Sequence, residues 1–361
     1  MKQLIYFASA HTSDGYRDLI ETNLTDIKYI FLIEGATTEQ RSACIASFFE
    51  KWRSLGEEIE LLLNSVDHNR FAGVINRRLS CAIIDRIQHL SYPIKALGKA
   101  EHLINLSANV TEKNRTDKDE TLKLYLSKEQ AIKQAHDAFN LGLKIHDGLE
   151  EIYINAMDFN KADKVAEELI EEIFAERFSD HSASVQYQRF LGASTANGVV
   201  DYVDQLTEQL SKRYLIKGRA GSGKSTLLRK IVAEAKQRNY HLEIYHCGFD
   251  PDSLDMVIIR ELGMAIFDST APHQYEPSRH GDQIVDLYQT TISPGTDQKY
   301  HETIAHLTKL YRRQIQKGVA HLNEARNYNL QLEKIEQQYF DVALFDQQVG
   351  VFLSQVEALL S

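Results

Sequence analysis

The sequence predicts an α/β protein made by tandem duplication, each copy carrying a mainly parallel sheet followed by a C-terminal helical hairpin. Three observations carry that expectation. Positions 7–85 match positions 190–268 at a constant offset of 183, with 18 identities, where typical composition gives roughly 5. Short apolar runs alternate with an amphipathic helical stretch, as in a parallel sheet with crossover helices. After each sheet part the Gly and Pro signals fade, and a long, polar, helix-prone segment follows.

The elements can be taken in order. Each copy opens alike, with Phe7-Ala8-Ser9-Ala10-His11-Thr12-Ser13-Asp14-Gly15 against Phe190-Leu191-Gly192-Ala193-Ser194-Thr195-Ala196-Asn197-Gly198. Leu32-Ile33-Glu34-Gly35 then falls on Leu215-Ile216-Lys217-Gly218, Asp67 on Asp250, and Asp85 on Asp268. In copy two, strands are expected at 213–216, 242–247, 256–259 and 264–267. A helix is expected over 225–238, where Leu227, Leu228, Ile231, Val232 and Ala235 recur at helical spacing. The helical parts are expected at about 116–178 and about 296–361, where Glu150, Ile152, Asp158 and Asp163 fall on Glu333, Ile335, Asp341 and Asp346. These helices either cover the sheet of their own copy or project as an arm or self-association surface. The domains are accordingly 1–183 (sheet part about 1–110) and 184–361 (sheet part about 186–292), joined through the small polar run Ser179-Asp180-His181-Ser182-Ala183-Ser184.

Composition narrows the function classes. The 361 residues carry a net charge of −10, which argues against a surface built to coat nucleic acid or anionic membrane. Cys44, Cys81 and Cys247 lack CxxC spacing, so neither a disulfide scaffold nor a structural zinc site is expected. No run approaches the ~18 apolar residues of a membrane span. Met1-Lys2 and the apolar run Leu4-Ile5-Tyr6-Phe7 mimic a signal peptide, but the same segment recurs mid-chain in copy two. A cytoplasmic location is therefore expected.

The chemistry lies in Gly218-Arg219-Ala220-Gly221-Ser222-Gly223-Lys224-Ser225-Thr226, which satisfies G-x-x-x-x-G-K-[ST] between an apolar strand and a helix. Gly218, Gly221 and Gly223 allow backbone angles and approaches that a side chain forbids. Successive N–H groups and the helix N-terminus then favour phosphate. Lys224 is expected to reach the β- and γ-phosphates and to face solvent without them. Ser225 is expected to place its hydroxyl on Mg²⁺. Asp268 ends the run Met264-Ala265-Ile266-Phe267 as a Walker B acid does, and either holds Mg²⁺, directly or through water, or caps a turn at the strand end. Asp250 could orient a water or accept a proton, or cap its Asp-Pro turn. His273 could contact nucleotide or substrate, or be an isolated loop histidine. Thr195 and Gly198 are expected to serve the fold.

On these motifs copy two resembles a P-loop NTPase domain. The whole chain resembles an uncharacterised bacterial family of duplicated P-loop ATP-binding proteins, with shared openings like 190–198 and a segment like Thr270-Ala271-Pro272-His273 after the strand-end Asp. The resemblance implies ATP and Mg²⁺ as ligands, and an ATPase or nucleotide-kinase activity. It also implies an intact loop in each half, from which this chain departs. Copy one has Gly35-Ala36-Thr37-Thr38-Glu39-Gln40-Arg41-Ser42, with Gln40 for the second required Gly and Arg41 for the Lys. Glu39 adds a repelling charge, so one competent site is expected, with Lys224, Asp268 and Asp250 as its catalytic candidates. ATP hydrolysis is the preferred function. A nucleotide or small-molecule kinase would need a basic lid, for which Arg279, Arg312 and Arg313 are candidates. A nucleotide-gated binding protein, using its helical arms on a protein partner or on itself, is the third reading. No guanine-reading N-K-x-D occurs.

Overall fold

A computed structural model describes residues 3–107, 117–271 and 273–360; Met1, Lys2, Thr116, Pro272 and Ser361, which enter the expectations above, lie outside the described residues. Copy one begins with β1 (Gln3–Tyr6), the hairpin β2 (Ser9–Thr12) and β3 (Gly15–Asp18), and the short helix α1 (Ile20–Asn23). Its sheet part continues through β4 (Tyr29–Glu34), α2 (Thr38–Ser54), β5 (Ile59–Leu63), β6 (Phe71–Asn76), β7 (Cys81–Asp85) and β8 (Glu101–Asn105). Helices α3 (Lys118–Ile154) and α4 (Phe159–Phe174) follow. Copy two repeats the series as β9 (Gln186–Phe190), β10 (Gly192–Thr195), β11 (Gly198–Asp201), α5 (Val203–Leu206), β12 (Lys212–Lys217) and α6 (Lys224–Gln237). It continues with β13 (Leu242–His246), β14 (Leu254–Ile259), β15 (Met264–Asp268) and β16 (Asp282–Asp286). Two short helices, α7 (Leu287–Thr291) and α8 (Thr296–Lys299), lead to α9 (His301–Gln337) and α10 (Val342–Leu360). The expected strands and helix of copy two all appear, with ends displaced by at most two residues.

Each copy builds a six-stranded sheet, ordered β1-β5-β6-β7-β4-β8 and β9-β13-β14-β15-β12-β16. Neighbours are parallel except around β6 and β14, which run antiparallel on both sides. The reason is loop length. The connections into and out of these strands are far shorter than the dozen or more residues that a parallel crossover requires.

An approximate two-fold axis relates the copies. Phe190 N donates to Phe7 O at 2.9 Å, joining equivalent positions of the repeat. Ser13 N donates to Phe249 O at 2.9 Å, and the equivalent Ala196 N donates to Val66 O at 2.8 Å. Near the axis the copies differ: Arg189, fully buried, occupies the place of Tyr6. Its guanidinium lies 2.9 Å from Glu60 and 3.0 Å from the equivalent Glu243, and 4.1 Å from the Tyr6 ring centroid. Burial alone would raise the Glu60 pKa, but Arg189 and Arg77 outweigh it and hold the carboxyl down at about 2. A depressed carboxylate stabilises above its unfolded pKa and loses that contribution as pH falls through the folded value. Glu60→Gln is therefore expected to cost about 3–5 kcal/mol at neutral pH by leaving buried Arg189 under-compensated. The variant should also flatten the fall in melting temperature between about pH 4.5 and 2. Melting curves across pH for both proteins check this.

The long helices depart from expectation. They do not form hairpins on their own sheets. At ~55 Å, 37 residues of helix outrun a sheet whose strands span about 15–20 Å. Instead α3 and α9 pair antiparallel along their length, with Gly142 beside Gln314, Gly148 beside Leu307 and Gly318 beside Phe139. A Cβ at Gly318 would collide with the Phe139 ring, so the close crossing depends on this glycine. Each helix thereby delivers its successor to the other copy. Ala166, Leu169, Ile173 and Phe174 of α4 pack with Leu227, Leu228 and Ile231 of α6. Phe345, Val349, Phe352 and Val356 of α10 pack with Phe31 and Phe48 of copy one. The two copies exchange their terminal helices. Among the described residues, no helix is long and apolar enough to cross a membrane.

Candidate functional site

The glycine-rich loop joins β12 to α6 at the carboxyl edge of the second sheet. Gly221 and Gly223 adopt φ of +70° and +86°, angles that strain any residue with a Cβ. A Cβ at Gly218 would collide with the Ser222 hydroxyl, which donates to Arg219 O at 2.8 Å and closes the loop. Gly223 caps α6 without a side-chain bond, so the first amides of the helix remain available, with the positive end of its dipole. Arg219 points away, held by Asp297 at 2.9 Å and stacked 4.9 Å from the Tyr288 ring centroid. Ala220 lies at the loop's turn and Thr226 on the exposed face of α6.

Lys224 opens α6. Contrary to expectation it is not open to solvent: its side chain is 12% exposed. The ammonium donates to Arg219 O at 2.7 Å and stands 3.6 Å from Asp268 Oδ2. Asp268 ends β15 beside Ile216 of β12, and its Oδ1 accepts from Thr270 N at 2.9 Å. The fold thus brings Lys224 and Asp268 together. Ser225 Oγ accepts from Leu254 N at 3.0 Å, which ties the start of α6 to β14 and leaves the hydroxyl a further lone pair. Asp250 sits differently. Its carboxylate accepts from Ser253 Oγ at 2.5 Å and Asp252 N at 3.3 Å, within its own turn. That is the turn-capping arrangement, and it leaves Asp250 engaged locally.

One site residue escaped sequence reasoning. Asp255, near the start of β14, is 7% exposed, and its Oδ2 has no hydrogen-bond partner. Burial first, and the charge of Asp268 second, push its pKa up to about 7. The duplication held a usable signal, because Asp255 falls on Ala72 in the copy whose loop lacks the last two glycines and the lysine.

The roof of the loop comes from copy one. A Cβ at Gly221 would lie 2.5 Å from Glu150 O of α3, and one at Gly223 would lie 3.7 Å from the Met157 methyl. The α3–α4 turn is pinned there by Asp158 N donating to Thr291 O at 2.8 Å and Ser293 N donating to Ala156 O at 2.9 Å. Tyr153 of α3 also donates to Asp297, the partner of Arg219, at 2.9 Å. The site is composite.

The equivalent place in copy one is closed. Residues 38–40, aligned with 221–223, are wound into the first turn of α2. Thr37 accepts from Gln40 N, and the Gln40 side chain accepts from Thr37 N at 2.8 Å, a capping box. Gln40 thus satisfies amides that a phosphate loop leaves open. Arg41 takes the lysine's place: it donates to Ala36 O at 2.8 Å, the position of Arg219, and to Asp85 at 2.9 Å. Glu333 of α9 accepts from Glu39 N at 3.2 Å and from both terminal guanidinium nitrogens of Arg70. A carboxylate of the chain's own therefore lies on the helix N-terminus of copy one.

His273 is a fold latch. Its Nδ1 lies 2.7 Å from Asp201, as the His89 Nδ1 lies 2.8 Å from the equivalent Asp18. Arg279 is committed to Thr207 O and Asp204, which removes it as a lid, while Arg312 and Arg313 are exposed on α9. Thr195 serves the hairpin turn, as expected, donating to Gly198 O at 2.9 Å as Thr12 does to Gly15 O at 2.8 Å. Compared with known proteins, the chain matches no family model, no curated protein and no solved structure.

Proposed function

We propose that this chain is a P-loop ATP-binding protein with one competent nucleotide site, in copy two, and that it hydrolyses ATP with Mg²⁺. The contrast between two equivalent loops carries the reading. One keeps left-handed glycines, free helix amides and a lysine at its mouth, while the other is wound shut by a capping box and filled by Arg41. The loop amides would bind and orient the phosphates, and Lys224 would exchange Arg219 O for a phosphate oxygen. Ser225 and Asp268 supply the hard oxygen donors that Mg²⁺ takes. When bound, the metal offsets charge on the phosphates. Release of phosphate without an added acceptor supports hydrolysis, and transfer only to an acceptor supports the kinase reading. Tight binding without turnover supports a nucleotide-gated role, which the composite roof favours, because α3 links the loop to the paired arms.

Calorimetry with ATP is expected to give one nucleotide per chain, unchanged in Arg41→Ala. That variant should nevertheless lose about 3–5 kcal/mol of stability, because Asp85, fully buried, loses its cation. Two bound nucleotides would show copy one to be competent and overturn the single-site reading.

A further inference from the structure

We propose that Asp255 and Asp268 together form a two-carboxylate site for a divalent cation beside Lys224. The register of β14 on β15 pairs Ile258 with Ala265, Val257 with Ile266 and Met256 with Phe267. Asp268 is the next residue of β15, and Asp255 precedes Met256 as the extra residue of a bulge, where Tyr245 pairs with Met256 but His246 with Leu254. A bulge releases its extra residue from the strict alternation of the strand and re-aims the side chain. Leu254, Val257 and Ile266 pack with Leu227 and Leu228 of α6, and Asp268 lies two residues beyond Ile266. Asp268 therefore faces the helix that starts at Lys224, and the charges that act on Asp255 are those of Asp268, His273 and Lys224.

Like charges repel, and burial strengthens the effect. Lys224 is the cation at hand. It stands 3.6 Å from Asp268 and spends a hydrogen bond on Arg219 O. The nearby His273 is held by Asp201 at 2.7 Å, and the other neighbour of Asp255 is the neutral Cys247 thiol. Two carboxylates and one ammonium leave a charge over, and Asp255 Oδ2 is buried without a partner. In copy one the count closes: Ala72 takes the place of Asp255, and Arg41 balances Asp85. The second acid thus occurs only beside the open loop. Carboxylate oxygens in a fixed pair suit Mg²⁺ or Mn²⁺, and a bound polyphosphate would complete the shell.

The proposal deepens the nucleotide reading and takes its purpose from it, but its test reads metal alone. Mn²⁺ binding to the full chain, without nucleotide, is followed by water-proton relaxation for the wild type, Asp255→Asn and Asp268→Asn. Melting temperatures in chelator are measured beside it. Both variants should bind Mn²⁺ at least ~10-fold more weakly. Asp255→Asn should melt no lower than the wild type, since it relieves repulsion. Wild-type Mn²⁺ affinity in Asp255→Asn would overturn the site, and so would a wild type that binds no Mn²⁺ at millimolar concentration. Either result with a raised melting temperature in Asp255→Asn would mean that the acids share only a proton. A wild type that binds Mn²⁺ but not ATP would remove the nucleotide reading and leave the metal site standing.

Discussion

Lys224→Ala is expected to cut the stabilisation that ATP confers by about half or more. Ligand stabilisation follows RT ln(1 + [L]/Kd), about 2.7 kcal/mol at 100 times Kd. Losing a charge-assisted bond to phosphate costs about 1.5–3 kcal/mol, so affinity should fall by roughly 10- to 100-fold. At the upper end, the same ATP concentration stabilises the variant by only about 0.4 kcal/mol. The variant will also melt somewhat lower without ligand, because Lys224 stands 3.6 Å from Asp268. Lys224→Arg separates the two effects. Copy one already contains that arrangement, with Arg41 bridging the loop carbonyl Ala36 O and Asp85. The arginine should preserve ligand-free stability yet fill the cradle with a planar fork that lacks the lysine's reach. Thermal shifts with and without ATP decide the matter. Unchanged ATP affinity in Lys224→Ala would sink the phosphate-loop assignment.

Much of the sheet architecture was legible because the pattern that encodes it is local. The apolar runs of copy two and the spacing of Leu227, Leu228 and Ile231 mark elements that form where expected, and Gly221 and Gly223 mark the left-handed loop. The exchange of helices was not legible. Leu169 of α4 and Phe352 of α10 announce buried helix faces, but in a duplicated chain two near-equivalent sheets offer themselves to each face, and periodicity carries no address. Helix length was the better clue, since α3 is too long to end over its own sheet. Asp255 was missed for a different reason. It lies at the polar start of a strand recognised only from Met256 onward, and its meaning depends on a bulge and on the neighbouring strand end at Asp268, which no local pattern announces. Glu333 is similar: its position on the copy-one helix follows from the pairing of α3 with α9, which joins residues almost 300 apart in sequence.

The largest contrast expected lies between Asp268→Asn and Asp85→Asn, equivalent acids with different partners. In copy two, asparagine keeps nearly the size of Asp268 and its bond from Thr270 N, and Lys224 retains Arg219 O. Folding should change little. Turnover should fall at least ~10²-fold, because a developing charge in the transition state loses the metal clamp that an uncharged amide cannot hold. Nucleotide binding should suffer less, since the loop amides and Lys224 need no metal to grip phosphate. In copy one the order reverses. Asp85 is fully buried and receives Arg41 at 2.9 Å and Ile87 N at 2.9 Å, so Asp85→Asn leaves a nearly buried guanidinium without its counter-charge. That change should cost about 3–5 kcal/mol of stability and leave Mg²⁺-dependent phosphate release per folded molecule unchanged. Measuring release and melting temperature for both variants separates the roles. Equal losses that track stability in the two would make both acids turn caps and place the metal ligand elsewhere.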